Sequence, residues 1–332
     1  MKHASSYLMS SYLMAAAIAA GLAGGCGDDE PSTPDPGAFA VELHDLPVLA
    51  AGQYYEAWVA FPVLPARAGD PRRPAGAPLH DEQENVSLGA FRVAADGSLL
   101  NLEDGLAEFS LAEERNLNLA AGIHITVRAI GDTAHGALIL GGGIRGDDDE
   151  GYADLVTDYH DGFDCDLRSA AGSCVMATPT DGAGTNETRG IWFTDANGLP
   201  ALDLPALGHG WMYAAWAVAG GEARSIGHFA AANAADSDSA GAEAGPLPGF
   251  AAPGSDFITS GFDLAAGGVT VLVGVEPDAE GDHERGMKLR HEEPFPLTVL
   301  TLIIEAAAPA RTPMAMGLPA TPLPTGRVTF TR

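Results

Sequence analysis

The chain has 332 residues, with 17 Lys and Arg against 45 Asp and Glu, giving a formal charge of −28 at neutral pH. A surface this acidic repels nucleic acid and anionic headgroups, which argues against polyanions as partners and favours a solvated exterior. The length accommodates two domains of ordinary size.

Residues 1–25 hold one positive charge, Lys2, then the apolar run Tyr12–Leu22 and the small residues Ala23-Gly24-Gly25. A charged start, a short hydrophobic core and a small-residue cleavage site form the layout of a bacterial secretory signal. With Cys26 as the first retained residue, the segment resembles a lipoprotein signal, whose thiol receives a diacylglyceryl group. A transmembrane anchor, or a cleaved signal with Cys26 incidental, is the competing reading, but the run is short for a span of about 20 residues. Removing the leader takes Lys2 with it and moves the charge from −28 to −29. Gly27 follows the cysteine where aspartate favours inner-membrane retention, so delivery to the outer membrane is expected. Residues 26–37, polar and proline-rich, predict an extended, disordered tether. No later apolar run reaches about 18 residues, which leaves the lipid as the expected membrane attachment.

Residues 38–145 read as a first β domain. Tyr54, Glu56 and Trp58 alternate with Tyr55, Ala57 and Val59 at period two, the pattern of a half-buried strand. Ile123–Ile130 is rich in β-branched residues, which suit a pleated surface. Leu111–Leu119 fits at most one helical turn in a connection. Residues 146–187 read as an acidic linker, with nine carboxylates between Asp147 and Asp166. Calcium takes about six to eight oxygen ligands, so Asp158, Asp161 and Asp164 are candidate ligands, with a solvated acidic loop as the alternative. EF-hand spacing is absent. Cys165 and Cys174 flank eight residues and are expected to form a disulfide in an oxidising compartment.

Residues 188–332 repeat the first domain. Leu46-Pro47, Leu49, Gly52, Tyr55, Ala57 and Trp58 recur as Leu204-Pro205, Leu207, Gly210, Tyr213, Ala215 and Trp216 at one constant offset of 158. Further landmarks follow in the same order: Gly89-Ala90-Phe91 with Gly227-His228-Phe229, Leu119–Gly122 with Leu264–Gly267, and Thr126-Val127 with Thr270-Val271. Each copy is expected to close on a glycine and a strand, Gly136–Leu140 and Gly326–Phe330. Such a repeat implies duplication. The repeated tyrosines and tryptophans read as core anchors. Residues 64–88, 230–257, 276–295 and 305–325 read as surface loops.

The repeated motif resembles the extracytoplasmic C-terminal domain of the anti-sigma-K factor family, carried by Leu-Pro, Gly-x-x-Tyr-x-x-Trp and Gly-x-Phe in both copies and by Val275-Glu276-Pro277 in the second. Members of that family join it to a sigma-binding helical domain and one membrane span, which this sequence lacks. The resemblance therefore implies an envelope-facing β module rather than transcriptional control.

Signs of catalysis are sparse. There is no Gly-x-Ser-x-Gly elbow. The histidines His44, His80, His124, His135, His160, His209, His228, His283 and His291 are scattered, with no zinc-type ligand pair. A distant carboxylate pair for glycoside hydrolysis stays open from sequence. The reading is all-β: two tandem antiparallel β-sandwich (Ig-like) domains behind a lipid anchor. They are expected to serve as a non-catalytic binding or structural module of the envelope, whose partner is an unknown envelope protein or surface ligand. A sensor-like component acting through a membrane partner and a calcium-dependent adhesion module are the alternatives.

Overall fold

Alternating apolar positions broken by frequent Gly and Pro allow burial of one face through strands but not through long helices. The computed structural model describes residues 38–62, 83–131, 135–147, 149–160, 162–182, 184–208, 210–236, 239–278 and 293–332. The leader, Cys26 and the 26–37 segment lie outside them, as do His80, His209, His283 and His291. The fold is all-β: antiparallel sheets joined by loops and short 3₁₀ turns, with no α-helix among the described residues.

The chain enters through β1 (Ala38–His44), then β2 (Gln53–Pro62), β3 (Gln83–Val93), β4 (Leu99–Leu100), β5 (Phe109–Ser110), β6 (Gly122–Ala129) and β7 (Ala137–Gly143). β8 (Arg145–Gly146) and β9 (Glu150–Leu155) form a hairpin, followed by β10 (Ala171–Met176), β11 (Gly190–Trp192) and β12 (Leu202–Asp203). The second copy comprises β13 (Trp211–Ala219), β14 (Glu222–Phe229), β15 (Gly254–Asp256), β16 (Val269–Pro277) and β17 (Thr298–Ile304), with β18 (Met314–Ala315) and β19 (Thr325–Thr331) after it.

The first repeat sheet has the order β4-β3-β2-β6-β7 and the second β14-β13-β16-β17. The repeated tyrosines, bulge glycines and phenylalanines have matching jobs in both. The buried Tyr55 hydroxyl donates to the Pro47 carbonyl at 2.8 Å, and Tyr213 donates to Pro205 at 2.7 Å. A buried phenol needs such a partner, which explains why Leu-Pro travels with Tyr. Gly89 and Gly227 lie at φ 141° and 143°, a region costly for residues with a Cβ. Both stand at the same bulge: Ala57 faces Gly89 while Trp58 faces Ser87, and Ala215 faces Gly227 while Trp216 faces Ser225. That bulge aims Phe91 and Phe229 back onto the tyrosines, with ring centroids 5.5 and 5.9 Å apart.

Three details correct the sequence alignment. Tyr55 pairs with Val127 and Tyr213 with Val275, so Thr126-Val127 matches Gly274-Val275 rather than Thr270-Val271. The counterpart of β7 is β17, because Leu140 faces Ile125 as Leu300 faces Val273. Gly326–Phe330 instead lies in β19, which pairs with β1 on one side and β9 on the other. The copies therefore do not part at residues 146–187. The described chain from Ala38 onward closes into one compact unit, and one hydrophobic cluster runs through both repeat sheets and the β1–β19 pair.

A single run of chain joins the β1–β19 sheet to the first repeat. Gly141 bridges to Val156, and β8 continues in the same register, with Arg145 opposite Tyr152 and Gly146 opposite Gly151. Ala137–Gly146 thus lines β6 on one side and β9 on the other. Across the copies, the Trp211 indole N–H donates to the Leu138 carbonyl at 2.9 Å, and its ring lies 4.5 Å from that of Phe163.

The expected disulfide is absent: Cys165 and Cys174 are both free thiols. Pairing of β10 with β12 at Ala171–Gly172 and with β18 at Ser173–Cys174 commits Cys174 to the strand, where it is fully buried in the core. Cys165 sits half-buried in the turn before the Leu167–Ser169 3₁₀ turn. Expected loops also carry structure: β3 begins at Gln83 within 64–88, β15 lies within 230–257, β16 runs on to Pro277, and β18 lies within 305–325. β15 closes a small sheet on β11, where buried Asp256 accepts the Trp192 indole N–H at 2.7 Å and the Thr180 backbone N–H at 3.1 Å. Burial raises the pKa of that carboxyl, partly offset by these bonds.

Candidate binding face on the first repeat

Strand alternation sends Tyr55, Ala57, Val59 and Phe61 of β2 into the core. Tyr54, Glu56 and Trp58 therefore point to the opposite face. Register brings three β6 residues onto that same face: Arg128 beside Tyr54, Thr126 beside Glu56, and His124 beside Trp58. Of the repeated tryptophans, Trp58 is only half-buried and is thus not a core anchor, whereas Trp216 is buried; both lie outside the central cluster that holds Tyr55 and Tyr213. Each is on the outer face instead, held by its indole N–H.

In the first repeat that N–H donates to Thr126 Oγ1 at 2.9 Å. Glu56 and Arg128 form an ion pair with both side chains 10 % exposed, and Ser87 Oγ donates to the second carboxylate oxygen at 2.6 Å. The Arg128 guanidinium lies over two rings, 5.7 Å from Tyr54 and 5.8 Å from Trp58. Beyond it runs a chain of rings: Trp58 to His135 at 4.6 Å, His135 to His124 at 6.3 Å, His124 to Tyr159 at 5.6 Å, and Tyr159 to His160 at 4.3 Å. Gly141 makes room for this stack, because a Cβ there would meet the Tyr159 ring at 2.3 Å.

The equivalent face of the second repeat is plainer. Met212, Ala214 and Trp216 stand where Tyr54, Glu56 and Trp58 do, opposite Glu276, Gly274 and Leu272. Glu276 accepts the Trp216 indole N–H at 3.0 Å and the Phe295 backbone N–H at 3.3 Å, and lies 3.2 Å from His228 Nε2.

Chemically, the first face combines stacking surfaces, a guanidinium and three imidazoles. It can stack on planar groups and exchange hydrogen bonds with a polar ligand. His135 and Trp58 are half-buried and His160 is exposed, so the edge of the cluster meets solvent.

The other candidate residues lie elsewhere. Asp158 and Asp164 are exposed, while Asp161 is outside the described residues. Among the described residues no group of three or more His, Cys, Asp or Glu is disposed to hold a metal. Several neighbouring carboxylates have structural roles. Asp147 accepts the backbone N–H groups of Asp149 and Glu150, Asp154 pairs with Arg327 at 3.2 Å, and Asp166 caps a 3₁₀ turn. Burial and the charges of Asp164, Asp166 and Asp158 push the Cys165 thiol up to about 11, and burial pushes Cys174 to about 12. Both thiols are therefore protonated and poor nucleophiles at neutral pH.

Sequence reasoning left His124, His135 and His160 scattered. The signal that finds the face is the pair of period-two triplets Tyr54-x-Glu56-x-Trp58 and His124-x-Thr126-x-Arg128, read across one antiparallel pair. A second missed pattern occurs three times. Asn116-Leu117, Asp166-Leu167 and Asp263-Leu264 each cap a 3₁₀ turn through the side chain and bury the leucine, ahead of β6, β10 and β16. Comparison with protein families, with characterised proteins and with solved structures finds no match for this chain.

Proposed function

We propose that this is an exported lipoprotein, anchored through Cys26, whose β unit serves as a non-catalytic binding module of the cell envelope. The observation that supports the reading is how β1, the first described element, joins the rest of the unit. β1 starts at Ala38, directly behind the polar 26–37 segment, and is paired from Phe39 to His44 with β19. A lipid on Cys26 would therefore hold the entire unit through one short run of chain. The outer face of the first repeat, with its solvent-reaching rings and imidazoles, is the surface assigned to the ligand, an envelope protein or an exposed surface molecule.

Metabolic labelling with palmitate tests the anchor. Label should enter the wild-type chain and be lost in Cys26→Ser, with the variant released from the membrane fraction. An unlabelled wild type overturns the reading. Capture of partners from detergent-solubilised envelope tests the face: a specific partner should be retained by the wild type and lost in His135→Ala and His160→Ala. A second reading, a sensor-like ectodomain acting through a membrane partner, draws on the way Gly89, Phe91, Gly227 and Phe229 give the anti-sigma-like motif one structural role in both copies. It requires that the captured partner span the membrane.

A further inference from the structure

Resting on the lipid-anchored reading, we infer that the protein stands with the β8–β9 hairpin end toward the bilayer and holds the Trp58–His135 face above it. The argument is one of strand direction. Ala38, the first residue of β1, lies next to Phe39, which faces Phe330 of β19, and Thr331 in turn faces Glu150 of β9. The tether therefore enters at the end of the sheet where Glu150, Gly146 and the turn between them lie. That turn is fastened there by its own contacts. The Arg332 backbone N–H donates to the Asp149 carbonyl at 2.9 Å, and its guanidinium donates to the Asp147 carbonyl at 2.6 Å.

The opposite end of the same strands leads to the candidate face. Leu155 faces Gly326, and Val156 bridges to Gly141, which faces His124, which faces Trp58. These residues form one row across the sheet, six residues up β9 from Glu150, or about 20 Å at the usual strand rise. Arg128 lies further along in the same direction, past Val127, which faces Ala137. From Gly146 back to Ala137 is a further measure of the same height, about 30 Å along the strand. The run from Cys26 to Ala38 reaches at most about 40 Å when fully extended. The bilayer excludes the volume below it, so a lipid at Cys26 keeps the hairpin end on average nearer the headgroups. Arg145 and Arg332 at that end offset part of the charge of Asp147, Asp149 and Glu150, which softens repulsion from the surface.

Energy transfer on the lipid-modified full chain tests this. In a Cys165→Ser background, a donor dye is placed at Asp149→Cys on the hairpin or at Ile130→Cys, an exposed position just past β6 at the far end. The protein is reconstituted into phosphatidylcholine vesicles carrying a headgroup acceptor. Transfer should be several-fold stronger from position 149 than from position 130. Equal or reversed transfer from vesicle-bound protein overturns the orientation while leaving the anchor intact. Protein that fails to co-sediment with vesicles, or a Cys26→Ser variant that still does, overturns the anchor and the orientation with it.

Discussion

The two repeat sheets share an inner face and differ on the outer one, and the difference separates what holds the fold from what was free to change. Inside, Tyr55 and Tyr213, Phe91 and Phe229, and Gly89 and Gly227 do the same work at nearly the same distances. Outside, the position opposite residue 54 in the first copy holds Arg128, and its equivalent opposite Met212 holds Glu276. Where the first repeat has a cation paired with Glu56, the second has an anion near His228, and methionine and leucine stand in place of the tyrosine and histidine. Only the tryptophan is retained, and even its indole partner differs: a neutral hydroxyl in one copy, a carboxylate in the other. Packing constrains the inner face through shape, whereas the outer face need only satisfy its own buried charges.

The largest effects should come from those charges. Glu56→Ala strands Arg128 among aromatic rings and should cost about 3–5 kcal/mol, the usual penalty for breaking a buried pair from one side. Replacing both partners, Glu56→Leu with Arg128→Met, should recover most of that loss. Glu276→Ala removes the acceptor for the Trp216 and Phe295 N–H groups and should cost about 2–3 kcal/mol. Urea unfolding measures all three. Equal costs at Glu56 and Glu276, with no rescue by the double variant, would break the claim that the outer faces diverged in kind.

Next come the bulge glycines, which sharpen the comparison because the backbone is shared and the surroundings are not. Alanine at either position meets the left-handed penalty of roughly 1–2 kcal/mol. At Gly89 the new Cβ would stand 3.2 Å from the Glu108 carbonyl, a contact that a small shift relieves. At Gly227 it would stand 2.2 Å from a carboxylate oxygen of Asp236, which also accepts the Gly254 backbone N–H at 3.0 Å and so ties β14 to β15. Gly227→Ala should therefore cost about 3 kcal/mol and Gly89→Ala about half as much. Thermal midpoints in the reverse order would show that the bulges are not equivalent.

The tryptophans follow. Trp216→Phe removes a donor from a buried carboxylate and should cost about 2 kcal/mol, while Trp58→Phe loses a bond to a hydroxyl at a half-buried site and should cost about 1 kcal/mol.

Much of this was legible in the chain. Leu-Pro, Tyr, Gly and Phe at a repeated spacing predict matched strands, because each residue acts within one sheet and the spacing carries the register. What could not be read lies between elements far apart in sequence. Nothing in Gly326–Phe330 says that its partner is Ala38–His44 rather than the rest of its own copy, since the alternation of Val328 and Phe330 fits a half-buried strand in either place. The cysteine spacing was compatible with a disulfide, but it does not encode that β18 arrives from residue 314 to commit Cys174 to a strand. The outer face failed for a related reason. A half-buried Trp at period two looks the same whichever face it takes, and only the β6 triplet His124, Thr126 and Arg128, placed opposite by register, shows that the face is polar.

The smallest expected difference between the copies lies at their inner tyrosines, where the two should behave alike. Tyr55→Phe and Tyr213→Phe each delete one hydroxyl and leave one proline carbonyl short of a donor, for about 1–2 kcal/mol apiece. The alkaline limb of the stability curve adds a second measure with a definite sign. Burial raises the pKa of both phenols in the folded state, whereas an unfolded tyrosine ionises near pH 10. Above about pH 10 the unfolded chain therefore releases protons that the native chain keeps, so the native state binds more protons and stability falls as pH rises. The stability these groups contribute is complete below the unfolded value and drains away up to the raised folded one. Each Phe variant should lose stability less steeply than the wild type between pH 9 and 11, by the same amount in the two copies, as read from urea midpoints across that range. A slope that changes in one copy and not in the other would mean that the inner faces, too, differ, and that the repeat is matched more faithfully in sequence than in energetics.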